Sequence, residues 1–483
     1  MFVILVIGKD HFMMKRLPVF LQSGVCLFLA FQAMAQATPR ESVQASIESQ
    51  SFDELLRQDQ VLENASDLES ASAALWEKYR KAVTSDGARL EEQNSRQIKY
   101  GDKTMRFSLS KKGDKPANGY PLYIALHGGG GAPPYVNDSQ WEHMKIYYLD
   151  SVDTGVYVAT RGVTDTWNLH FVDESYALYD HLIENLVAFE NVDPNRVYIM
   201  GFSAGGDGVY QITPRMADRW AAANMSAGHH NWIRFDNLYN TPFLMQMGQF
   251  DSAYNRNTVA VENHIALNQL QAERGGYVHE LFLHERGSHN SWRDNDASRR
   301  EQTIVANPEA WLKGEPTSSL RKNTNAVDWL NQYTRNPYPE KIYWDPQTSA
   351  PRVTNLGSRY LTDPALEALL TEPKELFYWL DLAPQAGEWA SGVMEASFDS
   401  AKNSVQIVPG DSLDGLRILI HQDMLDIQQP VLVYVGDELI GSVKVQPNLR
   451  TLTRTLLERG DREFIFHGEI EVKRTAEGQW TVQ

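Results

Sequence analysis

The sequence predicts an α/β fold: a mostly parallel sheet flanked by helices, with a helical region before it and a small β-sandwich-like domain after it. Three observations carry this expectation. Apolar runs of strand length recur through the middle of the chain, at 120–126, 156–160, 196–200, 242–247 and 278–283. Several of these runs end in a glycine-bearing turn followed by a polar residue, the pattern of an open sheet that carries its site at the carboxyl ends of its strands. Past residue 341 the pattern changes to short apolar runs, some with period two.

Taken in order, residues 1–35 read as a signal peptide. Met13-Met14-Lys15-Arg16 is a basic start, residues 19–31 are mostly apolar, and Ala33-Met34-Ala35 offers small residues for cleavage after Ala35. Met13 or Met14 is an alternative start. Cys26, the single cysteine, falls inside this leader, so a mature chain has neither a disulfide nor a cysteine nucleophile. The expected location is the bacterial periplasm or the exterior, with no stable membrane span once the leader is removed.

Residues 36–95 read as amphipathic helices, one carrying Leu55, Leu56 and Leu62 and another Ala71, Ala74, Leu75, Tyr79 and Ala82. The central domain is placed at 96–312 and a Pro-, Asn- and Thr-rich linker at 313–341. A β-rich accessory domain follows at 342–483, with strands at 377–380, 405–408, 416–420 and 430–435 and a hairpin through 437–443. Trp379 and Trp389 make carbohydrate binding one reading of that domain; packing or substrate presentation is the other.

The most informative stretch is Gly201-Phe202-Ser203-Ala204-Gly205-Gly206, directly after the run at 196–200. A serine hydroxyl is a weak nucleophile until a sharp turn exposes it beside a base, and glycines on both sides permit that turn. Upstream, the run at 120–126 ends in His127-Gly128-Gly129-Gly130-Gly131. Consecutive glycines expose backbone amides, and each amide preorganised against a developing oxyanion contributes about 3–4 kcal/mol. The oxyanion donors are therefore Ala204 with Gly129 or Gly130. Downstream, Gly248-Gln249-Phe250-Asp251 and Gly287-Ser288-His289 supply a carboxylate and an imidazole. The order nucleophile, acid, histidine makes Ser203, Asp251 and His289 the expected catalytic residues. His284 competes as base, and Glu285, Asp294 and Asp296 compete as acid. His127, Trp167, His229 and Trp292 are expected to line the substrate pocket, with His230 beside His229.

These four motifs in order, between about residues 96 and 311, resemble the α/β-hydrolase superfamily. Within it they are similar to the secreted bacterial branch of poly(3-hydroxybutyrate) depolymerase-like and feruloyl or acetylxylan esterase-like proteins, some of which are labelled predicted peptidases. The glycine run after His127 is longer than the short turn of many such esterases, which leaves Gly129 and Gly130 as alternatives. The resemblance implies a serine esterase forming an acyl-enzyme on acyl or feruloyl esters of polysaccharide or on short polyesters. A serine peptidase with the same three residues, or an inactive hydrolase-fold binding protein, are the other readings. The substrate implied is an ester or peptide, with polymers among the expected forms. No cofactor is called for, and the histidine spacing fits no metal motif. The formal net charge of −17, from 45 Lys and Arg against 62 Asp and Glu, comes without a basic cluster and excludes a nucleic-acid partner.

Overall fold

A computed structural model describes residues 39–295, 301–348, 360–371, 376–385 and 390–483. The leader with Cys26, and also Asp296 and Trp389, lie outside the described residues. Four helices come first: α1 (Pro39–Ser49), α2 (Phe52–Leu56), α3 (Ala65–Ser85) and α4 (Gly87–Ser95). The central sheet is built from β1 (Gln97–Tyr100), β2 (Lys103–Lys112), β3 (Tyr120–Leu126), β4 (Gly155–Thr160), β5 (Val192–Phe202), β6 (Ala222–Ser226), β7 (Phe243–Gly248), β8 (His279–His284), β9 (Glu301–Val305) and β10 (Ser319–Asn323). Helices α5 (Pro134–Tyr147), α6 (Asp173–Glu190), α7 (Ala204–Arg215) and α8 (Arg256–Arg274) connect its middle strands.

The strand order is β1-β2-β4-β3-β5-β6-β7-β8-β9-β10. From β4 to β8 neighbours pair in parallel, and the strands outside them pair antiparallel. This is the α/β-hydrolase fold, a ten-stranded, mostly parallel sheet between helices. Strands β4, β6 and β7 are buried along their whole length, which is why they carry no charged residue and do not alternate.

The linker expected at 313–341 contains β10, paired to β9, and a five-residue helix at 326–330 whose Val327, Trp329 and Leu330 are buried. The ten-stranded sheet therefore extends past residue 312. Its polar composition reflects β10, which is the exposed edge strand.

Two five-stranded sheets follow. One has the order β11 (Lys341–Trp344), β14 (Met394–Asp399), β15 (Ser404–Val408), β17 (Val431–Val435), β18 (Glu438–Val443); the other is β12 (Leu376–Phe377), β13 (Leu380–Asp381), β16 (Gly415–Ile420), β19 (Gly468–Arg474), β20 (Trp480–Val482). All neighbours pair antiparallel except β15 with β17. Two expectations change here. The run 377–380 is not one strand but the tip of the β12–β13 hairpin, where Tyr378 turns at φ 50°. Trp379 is fully buried and donates its indole N–H to the Pro339 carbonyl at 2.9 Å, so it packs the interior and offers no platform for a sugar.

Leu62 also departs from expectation. Helix α2 starts on a Ser51–Glu54 capping box and stops at Leu56, and Leu62 is buried beyond it, its amide bonded to the Pro447 carbonyl at 2.9 Å. The amino-terminal helices thereby dock on the helix Leu449–Arg459 of the carboxyl-terminal region as well as on α6. None of their residues lines the cavity beside Ser203. No helix among the described residues is long and apolar enough to cross a membrane.

Candidate active site

Strand β5 delivers Ser203 at the carboxyl edge of the sheet, and α7 begins at the next residue. Ser203 sits at φ 59°, ψ −121°, a conformation that costs an L-residue about 1–3 kcal/mol and persists only where its surroundings enforce it. The enforcement is visible: the Ser203 amide donates to the Ser226 carbonyl at 2.9 Å, and the Asp207 amide donates to the Ser203 carbonyl at 3.0 Å. A Cβ on Gly205 would stand 2.0 Å from the Leu126 carbonyl oxygen, and one on Gly201 would stand 2.3 Å from that of Gly205. Only glycine lets strand, turn and helix approach this closely.

The histidine and acid arrive from loops after β8 and β7. His289 Nε2 lies 3.0 Å from Ser203 Oγ, and its Nδ1–H donates to Asp251 Oδ2 at 2.6 Å. Asp251 is buried, while the His289 side chain keeps 31% exposure. The other carboxylate oxygen of Asp251 faces Arg256 Nη1 at 3.9 Å. The three expected residues thus form a continuous relay, with the imidazole open to solvent on the serine side.

His284 is excluded as the base. It is buried, its Nε2–H donates to Gln246 Oε1 at 3.1 Å, it stacks on Trp292 at 4.1 Å, and burial pushes its pKa down to about 3. Asp294 is excluded as the acid. Wholly buried, it accepts the hydroxyls of Tyr147 (3.0 Å), Tyr148 (2.9 Å) and Ser226, and burial raises its pKa. It anchors the residue whose carbonyl holds the Ser203 amide.

The glycine loop resolves the choice between the two upstream amides. The Gly130 amide donates to Asn137 Oδ1 at 2.9 Å and is occupied. The amides of Gly129 and Ala204 meet no acceptor among the described residues, and Gly129 borders the cavity at Ser203. Asn137 also donates from Nδ2 to the Ala132 carbonyl (3.2 Å) and to Asp165 Oδ1 (2.8 Å). At Gly129, φ 111°, a Cβ would fall 2.3 Å from Asn137 Oδ1. The glycine run therefore wraps a buried asparagine whose role has no local sequence signal.

A cavity of about 540 Å³ opens at Ser203 and His289, walled by Tyr147, Phe202 and Trp292 and rimmed by Gln140, His143 and Arg293. Of the four pocket residues expected, only Trp292 lines it. His127 is buried behind the loop, where its Nε2 accepts the Gly162 amide (3.1 Å), its Nδ1–H donates to the Gly128 carbonyl (2.6 Å), and burial lowers its pKa to about 4. Trp167 is 58% exposed and packs edge-on to Phe171. His229 donates its amide to Asp207 Oδ1 at 2.7 Å, away from the cavity lining. Sequence reasoning missed Tyr147, Phe202 and Asp207. The last was within reach, because position i+4 from Ser203 on a new helix faces the same turn.

A serine, a histidine and a carboxylate thus meet in one hydrogen-bonded relay at the carboxyl edge of a mostly parallel sheet. Residues 162–287, from the segment after β4 to the turn before His289, match the model of the prolyl oligopeptidase family. No curated protein matches the chain. Similar solved structures include a thermostable esterase, with 19% identity, 50% of this chain and 62% of that one covered and a TM-score of 0.34. This chain therefore spans less than two thirds of that esterase. Others are a ferulic acid esterase (14% identity, 39% and 86% covered, TM-score 0.27) and esterase 2 of Thermogutta terrifontis phosphonylated by cyclosarin (18%, 42% and 87%, 0.31).

Proposed function

We propose that this protein is a serine hydrolase that cleaves carboxylic esters through an acyl-enzyme, with Ser203 as nucleophile, His289 as base and acid, and Asp251 as its orienting carboxylate. The observation that carries the reading is the relay Asp251 Oδ2, His289, Ser203 Oγ, with contacts of 2.6 and 3.0 Å, set at the mouth of a cavity. Ser203 Oγ attacks the carbonyl carbon as its proton passes to His289 Nε2. Asp251 stabilises the imidazolium and holds the tautomer with hydrogen on Nδ1. The oxyanion faces the amides of Gly129 and Ala204, the latter at the positive end of α7. Collapse expels the alcohol, protonated by His289, and water repeats the sequence on the acyl group.

An ester fits the cavity better than an extended peptide, because about 540 Å³ walled by three aromatic rings holds one acyl group. By resemblance to poly(3-hydroxybutyrate) depolymerase-like and feruloyl or acetylxylan esterase-like proteins, the proposal extends to acyl esters on polysaccharide or short polyesters. The match of residues 162–287 to the prolyl oligopeptidase family supports a second reading, in which the same relay cleaves peptides. Turnover of para-nitrophenyl acetate and methyl ferulate, set against a panel of peptide anilides and corrected with Ser203→Ala, separates the two. Ester turnover lost in the variant supports the esterase; turnover of anilides alone transfers the proposal to the peptidase. Secretion belongs to the same proposal, and an amino terminus at Gln36 in protein recovered from the medium or periplasm is its test.

A further inference from the structure

The whole chain is acidic, with 62 Asp and Glu against 45 Lys and Arg, yet among the described residues no carboxylate lines the cavity at Ser203. Its one permanent cation among the described residues is Arg293. The mounting of that residue is unusual for a surface arginine. Immediately before it, Trp292 is buried, stacked on His284 and packed 6.0 Å from the Phe202 ring. Immediately after it, Asp294 is wholly buried, accepts three hydroxyls through its side chain, and accepts the Ala326 amide at 2.8 Å through its carbonyl. Two neighbours locked in the interior fix the backbone of Arg293, while its side chain stands exposed at the cavity rim. It makes no ion pair among the described residues, although carboxylates are the commonest charged groups of this chain.

A guanidinium on a fixed backbone, with no ion pair among the described residues, beside a cavity whose described lining holds no carboxylate, is a receptor for a planar anion, since its fork of N–H donors matches a carboxylate bidentately. The geometry points to Arg293 as the residue that selects substrates whose acyl group ends in a carboxylate. This rests on the reading of Ser203 as nucleophile. A cavity of this volume is on the order of 10 Å across, so the anion lies roughly four to six bonds from the scissile carbonyl. Dicarboxylic monoesters, or amides of the same acyl groups, have that form. The aromatic walls formed by Tyr147, Phe202 and Trp292 cover the methylene or ring segment between the two ends.

The test is a matched pair of substrates, mono-para-nitrophenyl glutarate and para-nitrophenyl butyrate, with the corresponding para-nitroanilides, on the full chain and on Arg293→Gln, Arg293→Lys and Arg293→Glu. The expected result is a ratio of kcat/KM, anionic over neutral, that falls about tenfold or more in Arg293→Gln, further in Arg293→Glu and least in Arg293→Lys. Raising salt from about 0.05 M to about 0.5 M lowers the ratio in the unsubstituted chain and not in Arg293→Gln. A ratio indifferent to these substitutions overturns the inference even when both esters are turned over. If neither esters nor anilides react, it is the nucleophile reading that has failed. Glutarate binding by calorimetry then decides the role of Arg293: binding lost in Arg293→Gln supports it, and binding that is equal in both or absent from the unsubstituted chain overturns it.

Discussion

At the seam between the central sheet and the carboxyl-terminal sheets, Arg219 and Arg335 meet Asp461, and Arg459 meets Asp218, with no side chain of the five more than 3% exposed. At the Ser203 site only Asp251 is as deeply buried, and the chain of contacts ends on a hydroxyl facing an open cavity. Both regions hold buried carboxylates. At the seam their oxygens are spent on guanidinium groups, amides and one another's neighbours: Asp461 also accepts the Glu463 amide, Asp218 the Tyr378 amide, and Arg219 donates to the Arg459 carbonyl. With both carboxylates paired, the seam is chemically inert. The relay at the site ends on a hydroxyl open to the cavity, which on the proposed function is what makes Ser203 reactive.

Removing one member from each region should break this contrast in opposite ways. The largest effect belongs to the site. Ser203→Ala should lower turnover by about four orders of magnitude or more while the thermal midpoint stays near that of the unsubstituted chain. Comparable residual turnover would mean that the reactive group lies elsewhere. Asp461→Ala should do the reverse: it leaves Arg219 and Arg335 buried without their shared carboxylate, which costs about 3–5 kcal/mol in denaturant unfolding. A loss under about 1 kcal/mol would show the seam to be far wetter than its burial implies.

Two smaller effects sharpen the comparison. Asn137→Ala releases the Gly130 amide and loosens the loop that carries Gly129, so kcat should fall about 10- to 100-fold with little change in KM. Equal loss in KM would assign Asn137 to binding instead. Asp207, in the first turn of α7, is pushed up to about 6, chiefly by burial and against the pull of the His229 amide and Arg256. Its folded pKa lies above the unfolded one, so it lowers stability as pH rises from about 4 through 6, and the cost is complete above that window. Asp207 keeps part of its surface exposed, and Asp207→Asn should therefore add only about 1 kcal/mol at pH 7 and nothing at pH 4. A gain that persists at pH 4 would assign the effect to packing.

The strands that carry the site were legible because they are buried on both faces, and the residues at their ends because chemistry demands glycine, serine, aspartate and histidine there. What escaped depends on contacts between distant segments. Gly129 and Gly130 are alike in sequence, and Asn137 alone separates them. His127 and Trp379 are typical pocket and platform residues by type, yet each is turned inward by a hydrogen bond to a remote backbone group. Other features were overlooked rather than hidden. The helix Leu449–Arg459 in the carboxyl-terminal region has an Asn448 cap, leucines at 449, 452 and 456, and Gly460 at φ 57° closing it, a full set of start and stop signals. Polar composition made residues 313–341 look like a linker, although an edge strand is polar for its own reasons.

On the proposed function Ser203 becomes covalently acylated. Reacting the protein with para-nitrophenyl acetate, quenching in acid within the first turnover and mapping the acetyl group by mass spectrometry tests it directly. The expected result is an initial burst approaching one equivalent of para-nitrophenol per chain, the acetyl group on the peptide carrying Ser203, and neither in His289→Ala. An acetyl group on another residue, or a burst that survives in Ser203→Ala, would contradict it.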